Sequence, residues 1–235
     1  MTYNIHHGNP PSKAAEGTID LRAIANVINK AKPDLVALQE VDVNTTRSGI
    51  DVNEAEALAK LTGMHFHFSQ ALNYQGGKYG DAVLSRFPIA DTFSYQLPII
   101  KGTNEEIRVL SMIKVKLPGN KVILFGSTHL GLSEDTRILQ AKSLVKIVQS
   151  LKLPLVVGGD FNAFPESKPI QILDEVFTRS CTSDCGFTSS AQNPRHKIDY
   201  IMYRPKERFT VSSYEIIQET YASDHFPILV TLSFK

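Results

Sequence analysis

The chain contains no tryptophan, and only two of its 235 residues are cysteine. It has no run approaching the ~20 apolar residues of a membrane helix. It has no Gly/Ser linker, low-complexity block or internal repeat. It also lacks an excess of charge: 25 Lys and Arg face 24 Asp and Glu, a formal net charge of +1. These absences exclude several classes. Two cysteines cannot close a four-thiolate zinc site. Without tryptophan, interfacial anchoring on a membrane loses its strongest residue. Without a basic stripe, nothing in the charge asks for long nucleic acid, although nucleic acid stays possible as a partner. No basic-then-apolar leader is present. Met1-Thr2-Tyr3-Asn4-Ile5 reads as the end of a strand with nothing before it. The expectation is therefore a numbering that begins inside a longer precursor, with a lean towards export. A single domain over residues 1–235 is expected, as is a monomer.

Hydrophobic period orders the elements. Asp20 is placed to cap a helix with Leu21, Ile24, Ala25 and Ile28 on one face, stopping near Pro33. An apolar run, Leu35 to Leu38, ends in Gln39-Glu40. A helix is expected from about Asn53 to Gly63, and a longer one from about Ser133 to Leu151. Strands are expected at His65–Phe68, Ala82–Ile89, Arg108–Leu117, Lys121–Leu130, Leu153–Val157, Ile198–Tyr203, Phe209–Ile217 and Phe226–Phe234. This alternation predicts a layered α+β architecture of two packed sheets flanked by helices.

Polar residues collect at the ends of these strands. Gly159-Asp160-Phe161-Asn162 follows a wholly apolar strand, and its carboxylate and amide sit two residues apart. Gly, Asp and Asn also favour plain turns. Ile198-Asp199-Tyr200-Ile201 puts an acid inside an apolar strand, where burial is costly without a partner such as histidine. The bland alternative is a solvent-facing position. Ser223-Asp224-His225 precedes the last strand, either as a site or as a capped turn. Glu40, His129 and Asn4 end three others. Cys181 and Cys185 read as unremarkable thiols or as a small disulfide in an exported protein; a redox pair fits the spacing least.

Taken in order, Tyr-Asn-Ile-His-His-Gly, Gln-Glu-Val-Asp, Thr-His-Leu, Gly-Asp-Phe-Asn, Ile-Asp-Tyr-Ile and Ser-Asp-His span residues 4 to 225. This set resembles the endonuclease/exonuclease/phosphatase superfamily of metal-dependent phosphoesterases. The resemblance implies a four-layered α/β sandwich, two mixed β-sheets flanked by helices in the DNase I-like manner, with the site at one end. It implies Glu40 as the main divalent-metal ligand, with Asn4 and Asp224 beside the metal. Asp160 would orient or deprotonate the attacking water. Asn162 would hold that water or a phosphoryl oxygen. His225, paired with Asp199, would stabilise charge on the phosphate. His129 would be a second phosphate contact or the acid for the leaving oxygen.

Other residues stay open. Arg47, in Thr46-Arg47-Ser48-Gly49, is a substrate-phosphate candidate or a solvated loop residue. Asp81 stands where the family more often has Asn; it would orient His129 or be a neutral exchange. Arg86 reads as structural, His7 as a pocket residue, and His65 and His67 as surface residues. Arg195-His196-Lys197 lacks the Trp and Cys of inositol-phosphatase members. The expected activity is a phosphodiesterase on a modest substrate, with Mg2+ as cofactor (Mn2+ or Ca2+ also fit oxygen ligands). The alternatives are a DNA or RNA nuclease, a phosphomonoesterase, or a non-catalytic binding module.

Overall fold

Alternation along the strands sorts side chains to two faces, and both faces are apolar in the central strands. The structure is a computed structural model covering residues 1–235. Its elements run β1 (Thr2–Asn4), α1 (Leu21–Ala31), β2 (Leu35–Val43), α2 (Glu54–Thr62), β3 (His65–Tyr74), β4 (Gly77–Ser85), β5 (Ile89–Leu97), β6 (Arg108–Leu117), β7 (Lys121–His129), α3 (Glu134–Gln149), β8 (Leu155–Asp160), α4 (Lys168–Asp174), β9 (Thr178–Arg179), β10 (Asp199–Arg204), β11 (Phe209–Ile216) and β12 (Ile228–Phe234). They form two six-stranded mixed sheets, ordered β11-β12-β1-β2-β4-β3 and β5-β6-β7-β8-β10-β9.

Neighbouring residues on one strand enter different cores. Ala37, Val156 and Ile201 meet between the two sheets. Val36 and Leu38 face Ile24, Ile28 and Leu58 of α1 and α2. Leu155, Val157, Tyr200 and Met202 face Leu144, Val148, Ile170 and Leu173 of α3 and α4. The result is helix, sheet, sheet, helix: the expected four layers. No helix is long and apolar enough to cross a membrane.

Local signals set the helix ends. The Asp20 side chain accepts from the Ala23 N–H at 3.0 Å. Asn53 accepts from the Glu56 N–H at 3.2 Å, and Gly63 closes α2 in the left-handed conformation. The sequence reading needs correction over residues 69–97. Strand β3 runs on to Tyr74, turns through Gln75 (φ 45°) and Gly76 (φ 81°), and returns as β4. Two positive-φ residues are what a tight hairpin requires, and Gln in the first of them conceals the turn. The expected strand Ala82–Ile89 is in fact the end of β4 and the start of β5. Strand β5 is a half-exposed sheet edge with Asp91 and Gln96 exposed and the Ser94 hydroxyl bonding Ser69 Oγ of the other sheet at 2.6 Å.

Topology gathers the strand ends. Strands β1 and β2 are parallel, with Asn4 beside Gln39. Strands β7 and β8 are parallel, with His129 beside Asp160. Strand β10 runs antiparallel to β8, so its first residue, Asp199, also lies beside Asp160. A single end of the sandwich thus receives residues from five strands.

Candidate active site

Asp160 sits at the centre of this end, and two glycines make room for it. A Cβ on Gly158 would meet the Thr2 Cβ at 2.8 Å and the Ala37 Cβ at 3.0 Å, so the sheets touch there. A Cβ on Gly159 would lie 2.2 Å from the Thr128 carbonyl oxygen. The glycines therefore belong to a strand that is closely approached, and the turn alternative falls. Cross-sheet bonds reinforce the approach: Gln39 Nε2 donates to Ser127 Oγ at 2.8 Å, and Ser127 Oγ donates to the Leu38 carbonyl at 2.9 Å.

Three groups converge on Asp160 Oδ2. Asn4 Nδ2 donates to it at 3.1 Å; His129 Nε2 lies at 3.6 Å and His225 Nε2 at 3.7 Å. Its other oxygen, Oδ1, accepts from the Asn162 N–H at 2.8 Å. Burial, then the neighbouring Asp199, raises Asp160 from the ordinary carboxylate range to about 7, with His225 and the two hydrogen bonds opposing.

His225 Nδ1 donates to Asp199 Oδ2 at 3.0 Å. Burial disfavours its charge, but Asp199, Asp160 and Asp224 outweigh burial and hold it well above the usual histidine range. His225 is thus an imidazolium whose Nε2–H faces Asp160, and Asp199 is the buried, paired acid rather than a solvent-facing one. Lys197 lies behind Asp199, itself buried, and donates to the Asp199 carbonyl at 3.1 Å and to the Tyr214 hydroxyl at 2.8 Å.

His129 behaves differently. Burial, Arg108 and His225 push it well below the ordinary value, so the ring is neutral. Arg108 Nη1 lies 3.2 Å from its Nδ1. Guanidinium only donates, so Nδ1 accepts and the ring hydrogen sits on Nε2. That Nε2 lies 3.0 Å from Asn162 Nδ2, which itself donates to the Leu130 carbonyl at 2.9 Å. With the hydrogen on Nε2, donor faces donor at this contact, a repulsion that an acceptor such as a phosphoryl oxygen seated against both would relieve.

Glu40 occupies a bulge in β2, where register slips between Leu38 and Val41 against β4. Its φ is 58°, and Asn162 has φ 47°. Non-glycine residues in this region are strained, and such strain collects at functional sites. Asn4 Nδ2 donates to Glu40 Oε1 at 2.9 Å, while Asn4 Oδ1 accepts from the His6 N–H at 3.1 Å. Two groups of ligand-type atoms lie mutually within 4.8 Å: His6, His7 and Glu40; and Asp160, Asp199 and His225. Asp224 is half-buried beside them and joins neither group.

A cavity of about 250 Å³ opens over these residues, walled by Glu40, Arg47, Tyr74, Tyr79, Glu106, Arg108, His129, Leu132, Asp160, Asn162 and His225. Arg47 is pinned rather than solvated. Its Nε and Nη2 donate to Asp42 at 2.7 and 2.9 Å, and its guanidinium lies 4.5 Å from the Tyr74 ring centre. Arg86 donates to the Pro33 carbonyl at 2.8 Å, a structural contact. Asp81 is buried, its Oδ2 has no hydrogen-bond partner, and it makes no bond to the His129 ring. His65 is exposed, but His67 is half-buried and its Nε2 bonds Ser69 Oγ at 3.1 Å, so the surface reading fails for His67. Arg108 escaped the sequence reading. It is 4% exposed, bonds His129 and pairs with Glu106 at 3.0 Å. Its only signal is a charge opening an apolar strand. Cys181 and Cys185 are disulfide-bonded.

An acid–imidazolium pair, a central carboxylate and a strained glutamate thus lie together at one end of a four-layered sandwich of the DNase I-like fold. The chain belongs to the Endonuclease/Exonuclease/phosphatase family, whose model matches residues 1–225. It is 28% identical to the uncharacterized protein YbhP of Escherichia coli (strain K12) over 242 residues, covering 97% of this chain and 93% of that one. The mannosyl-6-phosphatase of Bacteroides thetaiotaomicron shares its fold, with TM-score 0.80, 19% identity, and 99% and 98% of the two chains covered. So does the human Nocturnin catalytic domain, with TM-score 0.73, 23% identity, and 99% and 92% covered.

Proposed function

We propose that this protein is a divalent-metal-dependent hydrolase of phosphoester bonds, acting on a modest phosphodiester. The observation that carries the reading is the convergence on Asp160 Oδ2 of a charged His225 and a neutral His129. Asp160, raised towards neutrality, holds the attacking water and takes its proton. His225, kept charged by Asp199, meets the negative charge that develops on the phosphoryl oxygens. His129 and Asn162 donate to the same group, and the neutral His129 serves as a contact rather than as the acid. Arg47, clamped by Asp42, faces the same cavity as a fixed anion receptor.

The donor set fits a cation. Glu40 is half-exposed at the cavity and accepts from a single side chain, Asn4, within a cluster of carboxylates. Glu40 would hold the ion, with Asn4 and Asp224 beside it; Mg2+ suits these oxygens, and Mn2+ or Ca2+ are alternatives. When bound, the ion supplies a Lewis acid for the phosphoryl oxygen. The cavity lies below the roughly 300–1,000 Å³ of most small-molecule sites, and Tyr74, Tyr79 and Leu132 give a less polar wall for an ester substituent. Both features support a small diester over a long polymer. The Cys181–Cys185 bridge supports export to an oxidising compartment.

The test is hydrolysis of bis-p-nitrophenyl phosphate and p-nitrophenyl phosphate, with Mg2+ or Mn2+ and with chelator. Metal-dependent diester cleavage lost in Asp160→Asn is the expected result. Monoester cleavage alone would move the assignment to a phosphatase. Silence on both, with no metal binding by calorimetry, would leave a binding module.

A further inference from the structure

His6 and His7 are consecutive and both left-handed, with φ of 46° and 43°. This tight turn, unusual for two adjacent side-chain-bearing residues, folds both rings back towards Glu40. Ligand-type atoms of His6, His7 and Glu40 lie within 4.8 Å of one another. First-row metal bonds to nitrogen and oxygen are about 2.0–2.2 Å, so ligands across one ion stand up to roughly 4 Å apart. The trio lies within about 1 Å of that spacing.

Two further observations point to a ligand. His6 Nδ1 lies 2.9 Å from the Asn9 carbonyl, which only accepts, so Nδ1 carries the hydrogen and Nε2 keeps its lone pair. A backbone carbonyl gripping the far nitrogen is the usual support of a metal-binding histidine. His7 Nδ1 is buried and has no hydrogen-bond partner in the protein.

We propose that His6, His7 and Glu40 form a nitrogen-rich cation site that takes a borderline first-row ion, Zn2+ or Co2+, in preference to Mg2+. Imidazole suits such ions, whereas Mg2+ demands oxygen. Glu40 is shared with the oxygen donors Asn4 and Asp224, so the loop 6–7 sets which metal the centre accepts. The inference rests on the metal-dependent reading for its use of Glu40, yet its tests need no turnover.

The experiment is calorimetry on protein stripped with chelator and desalted, titrated with Zn2+, Co2+ and Mg2+. Zn2+ and Co2+ bind about tenfold or more tighter than Mg2+. His6→Asn and His7→Asn, chosen because Asn tolerates positive φ, each weaken Zn2+ about 10–100-fold and leave Mg2+ nearly unchanged. Equal Zn2+ affinity in wild type and both variants, or a parallel loss of all three metals, overturns the site. Wild-type protein provides a measurement free of folding effects: one equivalent of Zn2+ shifts the imidazole nitrogen resonances of His6 and His7, and Mg2+ does not. Unmoved resonances overturn the proposal. Zinc binding with no phosphoester turnover would sink the proposed function and leave this site standing; turnover with unmoved histidines would do the reverse.

Discussion

Asp160 is buried, and its two oxygens accept from the Asn162 N–H and the Asn4 amide. A base must be deprotonated to act, and the His225 partner must be protonated. Burial and Asp199 raise Asp160 to about 7, while Asp199 and its neighbours raise His225. Activity therefore climbs as pH rises through about 7, where Asp160 ionises, and falls again only well above the ordinary histidine range, where His225 loses its proton. The check is kcat/KM against pH. Replacing Asp160 by Asn removes the base without changing shape, and kcat drops roughly 10²–10⁴-fold while KM moves little. A drop of less than about tenfold would assign the base elsewhere. The residues behind this prediction were legible because each ends an apolar strand or interrupts one, as Asp199 does. Arg108 and Lys197 were not. They act through His129 and Asp199, and their partners are 21 and 2 residues away in directions that only the folded chain defines.

Strand β8 shows what an element contributes. Its Gly158-Gly159 pair lets one sheet touch the other and lets β8 lie against β7, which sets the height of Asp160. Gly159→Ala puts a methyl group 2.2 Å from a backbone oxygen that has no free rotation. The strands must part, at a cost of about 1–3 kcal/mol or more. For a chain of this length that lowers Tm by roughly 3–10 °C, and activity falls with it. An unchanged melting curve would show that β8 has slack.

A second element-scale effect lies between β2 and α2. Glu54 is buried, accepts from the Asp42 N–H at 2.8 Å and leaves Oε1 without a partner. Burial raises it from 4.5 to about 8. Between those values the folded chain holds a proton that the unfolded chain has released. The stabilisation is whole below the unfolded value and is lost as pH rises through about 8, on the order of 4 kcal/mol in all. Glu54→Gln keeps the shape and removes the titration. It should melt with wild type at pH near 5 and roughly 5–15 °C above it beyond pH 8; parallel melts at both pH values would refute the assignment. Sequence period found α1, α2 and the strands buried on both faces. It missed β5 and the 75–76 turn, because an edge strand alternates weakly and Gln is a rare turn residue.

At the scale of the whole molecule, the site joins distant parts of the chain. Ser223 Oγ donates to the Asn4 carbonyl at 2.7 Å across 219 positions, and Asn4 reaches Asp160 across 156. The same end concentrates Glu40, Asp160, Asp199 and Asp224, whose mutual repulsion His225 relieves in part and a bound cation would relieve further. A cation bound there stabilises every element that supplies a ligand, and so the folded state as a whole. At one hundred times its Kd, a ligand that binds only the folded state adds about 2.7 kcal/mol. For a chain of this length, that corresponds to a rise in Tm of roughly 5–10 °C. Chelator should remove the rise and the activity together, and Glu40→Gln should abolish the rise while leaving the metal-free Tm equal or higher, because one of the repelling carboxylates has gone. A metal-induced shift that persists in Glu40→Gln would move the cation away from this end of the sandwich. A shift absent with every divalent ion, in a chain that still hydrolyses diesters in chelator, would make Asp160, His129 and His225 the whole of the catalytic machinery.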